Sequence, residues 1–316
     1  WWTVPHRTTR SIRLDLVSRW TENLMRSLDE RAAMVETDLG PIQVATEGDG
    51  PRVLSIHGSP GGFDQGLIWA QHLRTGGCQL IAPSRPGYLR TPLDSGRGPA
   101  EQADLYASML DALHIDKVTI LGISSGGPSA VHFAARHPDR TKALLLDAAV
   151  LLPISPATNA IERAIFESGT GVWLSCQMAK RWPRLTAGLL VDVLSAGLSK
   201  DRKRDAVDWI TSSPARLNSV VELPASLAPR RFRKSGQRND ESNEINLEPL
   251  PFTEVTAPTL IAQGNNDAFP LVDHATSAAG RIPDAELMLV EEGHHGLPWC
   301  RHIDAVARRQ LELSLA

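Results

Sequence analysis

One stretch of this chain, residues 117–138, constrains its fold more than any other. It reads KVTILGISSGGPSAVHFAARHP and begins with a short apolar run rich in β-branched residues, which predicts a buried strand. A glycine-rich turn follows, and the small and apolar residues after Pro128 suit a helix. A strand, a tight turn and a helix in direct succession are typical of an α/β fold.

Within that turn, Ser124 has a glycine two residues away on each side. Gly-x-Ser-x-Gly between a strand and a helix is the pattern of a nucleophile elbow. A turn that projects one hydroxyl strains the backbone, and Gly122 and Gly126 leave room for the crossing chain segments. Ser125 as the nucleophile would break this glycine symmetry. The motif is short enough to arise by chance, so its surroundings in the chain have to support it.

Length and composition indicate a globular protein that can bury a large core. The chain has 316 residues, of which 42% are apolar and 22% charged. A formal net charge of −3 argues against a general nucleic-acid binder, because phosphate neutralisation requires a basic excess. No stretch approaches the roughly 20 apolar residues of a membrane span.

The cysteines and the first residues bear on the compartment. Cys78, Cys176 and Cys300 are far apart and odd in number, which favours a reducing compartment and a cytoplasmic location. The chain begins with Trp-Trp and not with methionine, so we expect a processed or truncated form whose original leader or anchor is not visible.

Residues 1–33 are predicted to form an N-terminal helical segment. Six arginines alternate there with apolar side chains, as in an amphipathic helix. We expect this helix to pack on the main domain with its arginines in water. Membrane association is the alternative, and acidic residues such as Glu22 and Asp29 on the same segment disfavour it.

Short apolar runs then alternate with helix-like segments over residues 34–150 and again over 251–316. This alternation predicts right-handed crossovers and a mostly parallel sheet flanked by helices. Between 151 and 250 the alternation stops: residues 157–223 favour helices, and the charged residues 228–244 are expected to form an exposed loop. We therefore predict an α/β core with a helical cap, or lid, inserted at 151–250. The predicted strands are residues 34–37, 42–46, 52–56, 79–82, 118–121, 143–146, 258–263 and 286–290.

A serine nucleophile needs a base that takes its proton and an acceptor that holds the base in one tautomer. Asp267 and His294 each come shortly after a predicted strand. Because the carboxyl ends of parallel strands share one edge of a sheet, Ser124, Asp267 and His294 are expected to meet there.

Both assignments have a competitor. Asp147, at the end of the strand that follows the serine turn, is the alternative acid, and His295 is the alternative base. No metal site is expected, because adjacent histidines do not readily converge on one ion and no further ligands stand nearby.

With its serine, acid and histidine in this order, the chain resembles the α/β-hydrolase superfamily, in particular its cap-bearing serine esterases. The likeness covers about residues 40–150 and 251–313 and is poor in the cap and the N-terminal segment. Residues 57–62, HGSPGG, resemble the family's oxyanion loop after its third strand. Residues 84–88, SRPGY, resemble its loop after the fourth strand, although the following Leu-Arg-Thr departs from the usual Gly-x-Ser.

The resemblance implies roles for further residues. The backbone N–H groups of Ser59 and Ser125 would bind an oxyanion, with His57 and Gly58 supporting the loop. The family's usual Gly-His pair places the base at His294.

The resemblance also implies a fold and an activity. The fold would be that of an α/β hydrolase, and the activity that of a serine hydrolase of the EC 3.1.1 type, cleaving a small carboxylic ester without a cofactor. The leucines and tryptophans of the cap favour an apolar acyl or alcohol part. A lactonase, an amidase or aminopeptidase, or a C–C bond hydrolase would use the same triad, and a non-catalytic ligand-binding protein is the alternative from another class. The sequence leaves the natural substrate and the oligomeric state open.

Overall fold

The computed structural model describes residues 9–154, 169–269 and 272–316, with the side chains of residues 9–15 and 169 outside that description. In this part of the chain a single eight-stranded sheet has the order β1-β2-β4-β3-β5-β6-β7-β8. The strands are β1 (Ala33–Val35), β2 (Ile42–Glu47), β3 (Arg52–Ile56), β4 (Gln79–Pro83), β5 (Val118–Ile123), β6 (Thr141–Asp147), β7 (Thr259–Gly264) and β8 (Glu286–Val290).

The sheet is mostly parallel, as the sequence predicts. β2 runs antiparallel to β1 and β4, and all other neighbouring strands are parallel. The carboxyl ends of β3, β5, β6, β7 and β8 therefore lie along one edge of the sheet. The loops that leave these strands carry most of the candidate site residues.

Helices flank the sheet, and further helices lie in the chain segment between β6 and β7. The helices described are α1 (Thr9–Arg31), α2 (Phe63–Trp69), α3 (Gln71–Thr75), α4 (Pro99–Ala112), α5 (Gly127–Arg136), α6 (Gly169–Arg181), α7 (Pro183–Leu194), α8 (Lys200–Thr211), α9 (Pro214–Glu222), α10 (Lys234–Ile245), α11 (Val272–Ala279) and α12 (Asp304–Leu315).

Two clusters of buried apolar side chains fill the two faces of the sheet. One contains residues of α4, α5 and α11, and the other contains residues of α2, α3 and α12. Successive residues of one strand enter opposite clusters, as with Ile120 and Leu121 in β5. Because both faces are covered, β5 and β7 are buried along their whole length, which explains their continuous apolar sequences.

Helices α6–α10 lie between β6 and β7, where the sequence predicts a cap. We refer to residues 169–250 as the insertion. Ser199 and Ser213 precede α8 and α9 and accept hydrogen bonds from backbone N–H groups in the first turn of each helix. Residues 157–168 of the predicted helical region lie outside the described residues, and the exact cap boundaries stay a prediction.

The expectation of an exposed loop over residues 228–244 is wrong. The segment forms a 3₁₀ turn (Arg230–Phe232) and most of helix α10. Arg233 is fully buried and pairs with Asp64 at 2.8 Å, and the buried Asp240 pairs with Arg85. Charged residues that look solvated in the sequence are buried here because partners distant in sequence neutralise them.

Helix α1 packs on the main body through Met25 and Leu28, which are buried, while Arg19 and Arg26 are exposed. Near its end, Asp29 forms a two-point ion pair with Arg90. Among the helices described, none is long and apolar enough to cross a membrane.

Candidate active site

Ser124 lies where β5 ends and the turn into α5 begins. Its φ of 49° is in the left-handed region, which residues other than glycine rarely adopt. The Val150 N–H donates to the Ser124 carbonyl at 2.9 Å and fixes this backbone. The turn leaves the half-buried Ser124 side chain on the wall of a cavity. This is the geometry of a nucleophile elbow.

The two glycines of the motif are required by close backbone packing. A Cβ at Gly122 would lie 2.5 Å from the Cβ of Ala130, and one at Gly126 would lie 2.5 Å from the carbonyl oxygen of Ile56. Both distances are far below van der Waals contact. The glycines therefore allow helix α5 and strand β3 to approach the turn, as the sequence predicts.

His295, and not His294, contacts the serine. Its Nε2 lies 3.1 Å from Ser124 Oγ, and its Nδ1 lies 3.0 and 3.1 Å from the two carboxylate oxygens of Asp267. A histidine that donates from Nδ1 to the carboxylate presents Nε2 as an acceptor to the serine hydroxyl. Ser124, His295 and Asp267 thus form one continuous hydrogen-bonded chain.

His294 points into the protein, and its assignment as the base is corrected to His295. Its side chain is 1% exposed, and its Nδ1 accepts from the Gly296 N–H at 3.1 Å. Burial, followed by the charge of His295, lowers the pKa of His294 to about 4. The chain turns after β8, where Glu292 has a φ of 55°, and the second of the two histidines faces Ser124.

Asp267 is held in place by two more hydrogen bonds. The Phe269 N–H donates to Oδ1 at 2.7 Å, and Gln263 Nε2 donates to Oδ2 at 2.7 Å. The carboxylate is buried, so these donors replace water around it. Its orientation towards His295 is therefore fixed before any ligand binds.

Asp147, the alternative acid, has other partners. It accepts from Trp69 Nε1 at 3.0 Å and from Gln310 Nε2 at 2.6 Å. Burial raises the pKa of Asp147 to about 6. The Trp69 ring contacts the His295 ring in an edge-to-face arrangement, with the ring centroids 6.4 Å apart. Asp147 is therefore connected to His295 through Trp69, and its described hydrogen bonds do not include one to His295.

The polar groups of the loop after β3 are hydrogen-bonded to one another and to neighbouring segments, and these bonds fix the loop. His57 donates from Nδ1 to the Gly58 carbonyl at 2.7 Å and accepts the Arg85 N–H at Nε2. Burial, then the charge of Arg85, lowers the pKa of His57 well below its usual value, so the ring is neutral. The Gly58 N–H donates to Gln65 Oε1, and the next residue, Ser59, lines the same cavity as Ser124.

The cavity beside Ser124 has a volume of about 280 Å³ and is mainly apolar. The insertion supplies more than half of its wall, through helices α6, α7 and α9 and the turn after α9. Among the described lining residues, none is a lysine, arginine, aspartate or glutamate, and His295 is the titratable group. The apolar lining residues of the insertion are Val172, Met178, Leu189, Leu190, Val193, Leu194, Val220, Leu223, Pro224 and Leu227.

Some site residues were not found by sequence reasoning. Gln65 and Trp69 on α2 reach the loop after β3 and Asp147 through packing that no local motif indicates. Gln263 can be predicted from the sequence, because a polar residue near the carboxyl end of the apolar strand β7 suggests a role at that edge of the sheet.

Comparison with known proteins agrees with this fold. The family model for the α/β hydrolase fold matches residues 51–299. The chain is 32% identical to the "Uncharacterized hydrolase YcgS" of Bacillus subtilis, over 85% of this chain and 93% of that protein. It is 26% identical to the "2-hydroxy-6-oxononadienedioate/2-hydroxy-6-oxononatrienedioate hydrolase" of Comamonas testosteroni, over 86% of this chain and 90% of that one.

A solved structure, an "Alpha/beta hydrolase fold protein from Nakamurella multipartita", has 35% sequence identity and a TM-score of 0.86. The similarity covers 90% of this chain and 99% of that chain. The extent of the family match, the identity to these relatives and the strand order lead to one conclusion. The chain belongs to the α/β hydrolase fold family.

Proposed function

We propose that this chain is a serine esterase that hydrolyses carboxylic esters with an apolar acyl part. The observation that carries the proposal is the hydrogen-bonded chain Ser124–His295–Asp267, which opens onto an apolar cavity. A serine hydroxyl is a weak nucleophile until a base within hydrogen-bond reach accepts its proton, and His295 Nε2 is at such a distance.

In the proposed reaction, Ser124 Oγ attacks the acyl carbon while His295 Nε2 takes the hydroxyl proton. Asp267 stabilises the imidazolium that forms and keeps it oriented. The backbone N–H groups of Ser59 and Ser125 bind the oxyanion of the tetrahedral intermediate. His295 then gives its proton to the leaving alcohol, and the acyl group stays on Ser124.

Deacylation repeats these steps with water as the nucleophile. His295 Nε2 takes a proton from a water molecule as its oxygen attacks the acyl carbon. The second tetrahedral intermediate collapses, the proton passes to Ser124 Oγ, and the carboxylic acid leaves. No cofactor takes part in this scheme.

The lining of the cavity supports an ester over the other reactions that a serine triad performs. An aminopeptidase needs an acidic group for the substrate ammonium, and the described lining contains none. The substrate named for the Comamonas testosteroni relative is a dicarboxylate, and the described lining offers no lysine or arginine for a carboxylate. A C–C bond hydrolase acting on a neutral diketone stays the second candidate, because the Comamonas testosteroni relative is named as a hydrolase of 2-hydroxy-6-oxo compounds and the match spans 86% of this chain.

The test combines active-site labelling with a substrate series. A fluorophosphonate probe should label the wild-type chain and not Ser124→Ala, and a set of p-nitrophenyl esters should be hydrolysed with a preference for acyl chains longer than acetyl. A folded wild-type chain that neither reacts with the probe nor hydrolyses any ester contradicts the proposal. Turnover of an uncharged vinylogous diketone at a higher kcat/KM than every ester would favour the C–C bond hydrolase instead.

A further inference from the structure

We propose that Asp240, on helix α10 of the insertion, is a positioning residue for the oxyanion donor at Ser59. It holds Arg85, and Arg85 holds the peptide group that carries the Ser59 N–H. The inference rests on the proposed esterase function and names residues outside the serine, histidine and aspartate of that mechanism.

The pair of Arg85 and Asp240 is buried and bidentate. Arg85 is 1% exposed and Asp240 4% exposed. The two guanidinium nitrogens Nη1 and Nη2 donate to Asp240 Oδ1 and Oδ2 at 2.8 and 2.5 Å. Two parallel hydrogen bonds fix the plane of the guanidinium as well as its position. The remaining N–H groups of Arg85 consequently point in set directions.

Arg85 uses those groups on the two loops that carry the proposed oxyanion donors. Nη2 donates to the Gly58 carbonyl and Nη1 to the Ser125 carbonyl, each at 3.3 Å. The Gly58 carbonyl also accepts from His57 Nδ1. This carbonyl is therefore held towards the buried side of the loop by two donors.

The direction of the Ser59 N–H follows from that of the Gly58 carbonyl, because both belong to one planar peptide group. The Gly58–Ser59 bond is trans, and in a trans peptide the C=O and N–H bonds point in opposite directions. With its carbonyl turned to Arg85 and His57, the peptide directs the Ser59 N–H away from them. Ser59 and Ser124 line the same cavity, whose described lining includes neither Arg85 nor His57.

Tyr88 connects the same carboxylate to Ser59 by a second route. Its hydroxyl donates to Asp240 Oδ2 and lies 2.9 Å from Ser59 Oγ. Burial, then the charge of Asp240, raises the pKa of Tyr88, so the phenol keeps the proton that it donates. Asp240 thus restrains both the backbone and the side chain of Ser59.

A second buried pair provides a matched control. Arg233, also on the insertion, pairs with Asp64 through both guanidinium nitrogens and donates to the Gly61 carbonyl at 2.6 Å. It joins the same two parts of the chain as the Arg85–Asp240 pair. The described contacts of Arg233 include neither the Gly58 nor the Ser125 carbonyl, so loss of this pair should weaken the fold without turning the Gly58–Ser59 peptide.

The test compares Asp240→Asn with Asp64→Asn, using a p-nitrophenyl ester and a trifluoromethyl ketone of the same acyl chain. The ketone forms a tetrahedral adduct on serine, whose oxyanion occupies the same place as that of the intermediate. Removal of a whole oxyanion donor costs about 100- to 1,000-fold in kcat, so a misplaced donor should cost about 10- to 100-fold. For Asp240→Asn we expect kcat and ketone affinity to fall together by that factor, with KM within about twofold of wild type. For Asp64→Asn we expect both to stay within about threefold.

Arg85→Lys serves if Asp240→Asn does not fold. The lysine keeps a positive charge beside Asp240 but cannot span the Gly58 and Ser125 carbonyls, so kcat and ketone affinity should again fall together. Folded Asp240→Asn or Arg85→Lys chains with wild-type kcat and ketone affinity would overturn the inference, as would equal losses in Asp64→Asn. A wild-type chain that hydrolyses no ester would overturn the proposed function itself, and this inference with it.

Discussion

The two adjacent histidines of this chain have opposite surroundings, and this difference decides their chemistry. His295 lies between a carboxylate and a serine hydroxyl, so a proton can move from Oγ to Nε2 while the charge that forms stays compensated. His294 is enclosed, and protonation there would place a charge where the described residues offer Nε2 no partner. In the proposed mechanism His295 is therefore the base, and His294 is not.

We expect His295→Asn to lower kcat/KM by about 1,000-fold or more, because the serine loses its general base. His294→Asn should stay within about tenfold of wild type, since an asparagine Oδ1 can accept the Gly296 N–H as His294 Nδ1 does. Steady-state kinetics on one p-nitrophenyl ester measure both. A larger loss of kcat/KM in His294→Asn than in His295→Asn would show that His294 is the base.

Glu244 gives a prediction for stability and pH. Burial, then the charge of Asp240, raises the pKa of Glu244 to about 7, above its usual 4.5. Between these pH values the unfolded chain ionises and the folded chain does not, so stability is lost as the pH rises, by about 3 kcal/mol in total. Glutamine is neutral throughout. Relative to wild type, Glu244→Gln should gain about 3 kcal/mol in the free energy of unfolding between pH 4.5 and pH 8.

Urea denaturation of both chains at several pH values over this range measures the gain. Arg19→Gln, on the exposed face of α1, is a control that should give the same difference from wild type at every pH. Parallel pH profiles for Glu244→Gln and wild type would show that Glu244 ionises at an ordinary pKa in the folded chain.

At the scale of single residues, the sequence predicts those positions that a strand end determines. Ser124 and Asp267 follow β5 and β7 within a few residues, and the structure brings them together through one histidine. Which of two neighbouring histidines faces the serine depends on the turn after β8, where Glu292 adopts a positive φ. No spacing rule expresses that choice, and the family's Gly-His pattern led to the wrong residue.

Among the elements, the turn between β5 and α5 is the one that tolerates least change. A Cβ at Gly126 would meet the backbone oxygens of Ile56 and His57 at 2.5 and 2.8 Å, and backbone cannot move aside as a flexible side chain can. Gly188, in the middle of α7, has room for a side chain. A Cβ at this position would have Val207 Cγ2 as its nearest atom, at an ordinary contact distance of 4.0 Å.

We therefore expect Gly126→Ala to destabilise the chain by about 1–3 kcal/mol, as overpacking does, and to lower activity because the displaced residues lead into the loop at Ser59. Gly188→Ala should stabilise it by about 0.5–1 kcal/mol, since alanine restricts the unfolded chain and favours helix. Denaturant unfolding measures both changes. A stable, fully active Gly126→Ala chain would contradict the steric account of the motif.

The sequence predicts some elements better than others. Apolar periodicity predicts the strands of the sheet to within about two residues, because a buried parallel strand needs a continuous apolar run. The prediction is wrong over residues 228–244, where Arg233 and Asp240 are buried against Asp64 and Arg85. The partners lie more than 150 residues away in sequence, so no local pattern distinguishes these charges from solvated ones.

At the scale of the whole molecule, the insertion and the core form the candidate site together. The Leu194 carbonyl at the end of α7 accepts hydrogen bonds from two backbone N–H groups. One belongs to Ala268, which follows Asp267, and the other belongs to His295 itself. Residues of helices α6, α7 and α9 line the cavity together with Ser59, Ser124 and Trp69 of the core. The sequence predicts that helices lie here, but the width and depth of a cavity result from packing between segments far apart in the chain.

The cavity should therefore set which esters are hydrolysed fastest. Each methylene that moves from water into an apolar site contributes about 0.8 kcal/mol, or roughly a fourfold gain in kcat/KM, until the space is filled. Val220 is 1% exposed and lines this cavity from α9. A larger side chain at this position shortens the available space, and a smaller one extends it.

We expect Val220→Phe to reduce kcat/KM for the ester of the preferred acyl length by at least about tenfold, and to leave the acetyl ester within about threefold. Val220→Ala should move the preference towards longer acyl chains. Both variants keep the serine, histidine and aspartate. Hydrolysis of the acetyl ester therefore shows whether the catalytic groups are intact, and hydrolysis of the longer esters measures the space left for the acyl chain. If the two variants and the wild-type chain share one acyl-length profile, the acyl group does not occupy this cavity.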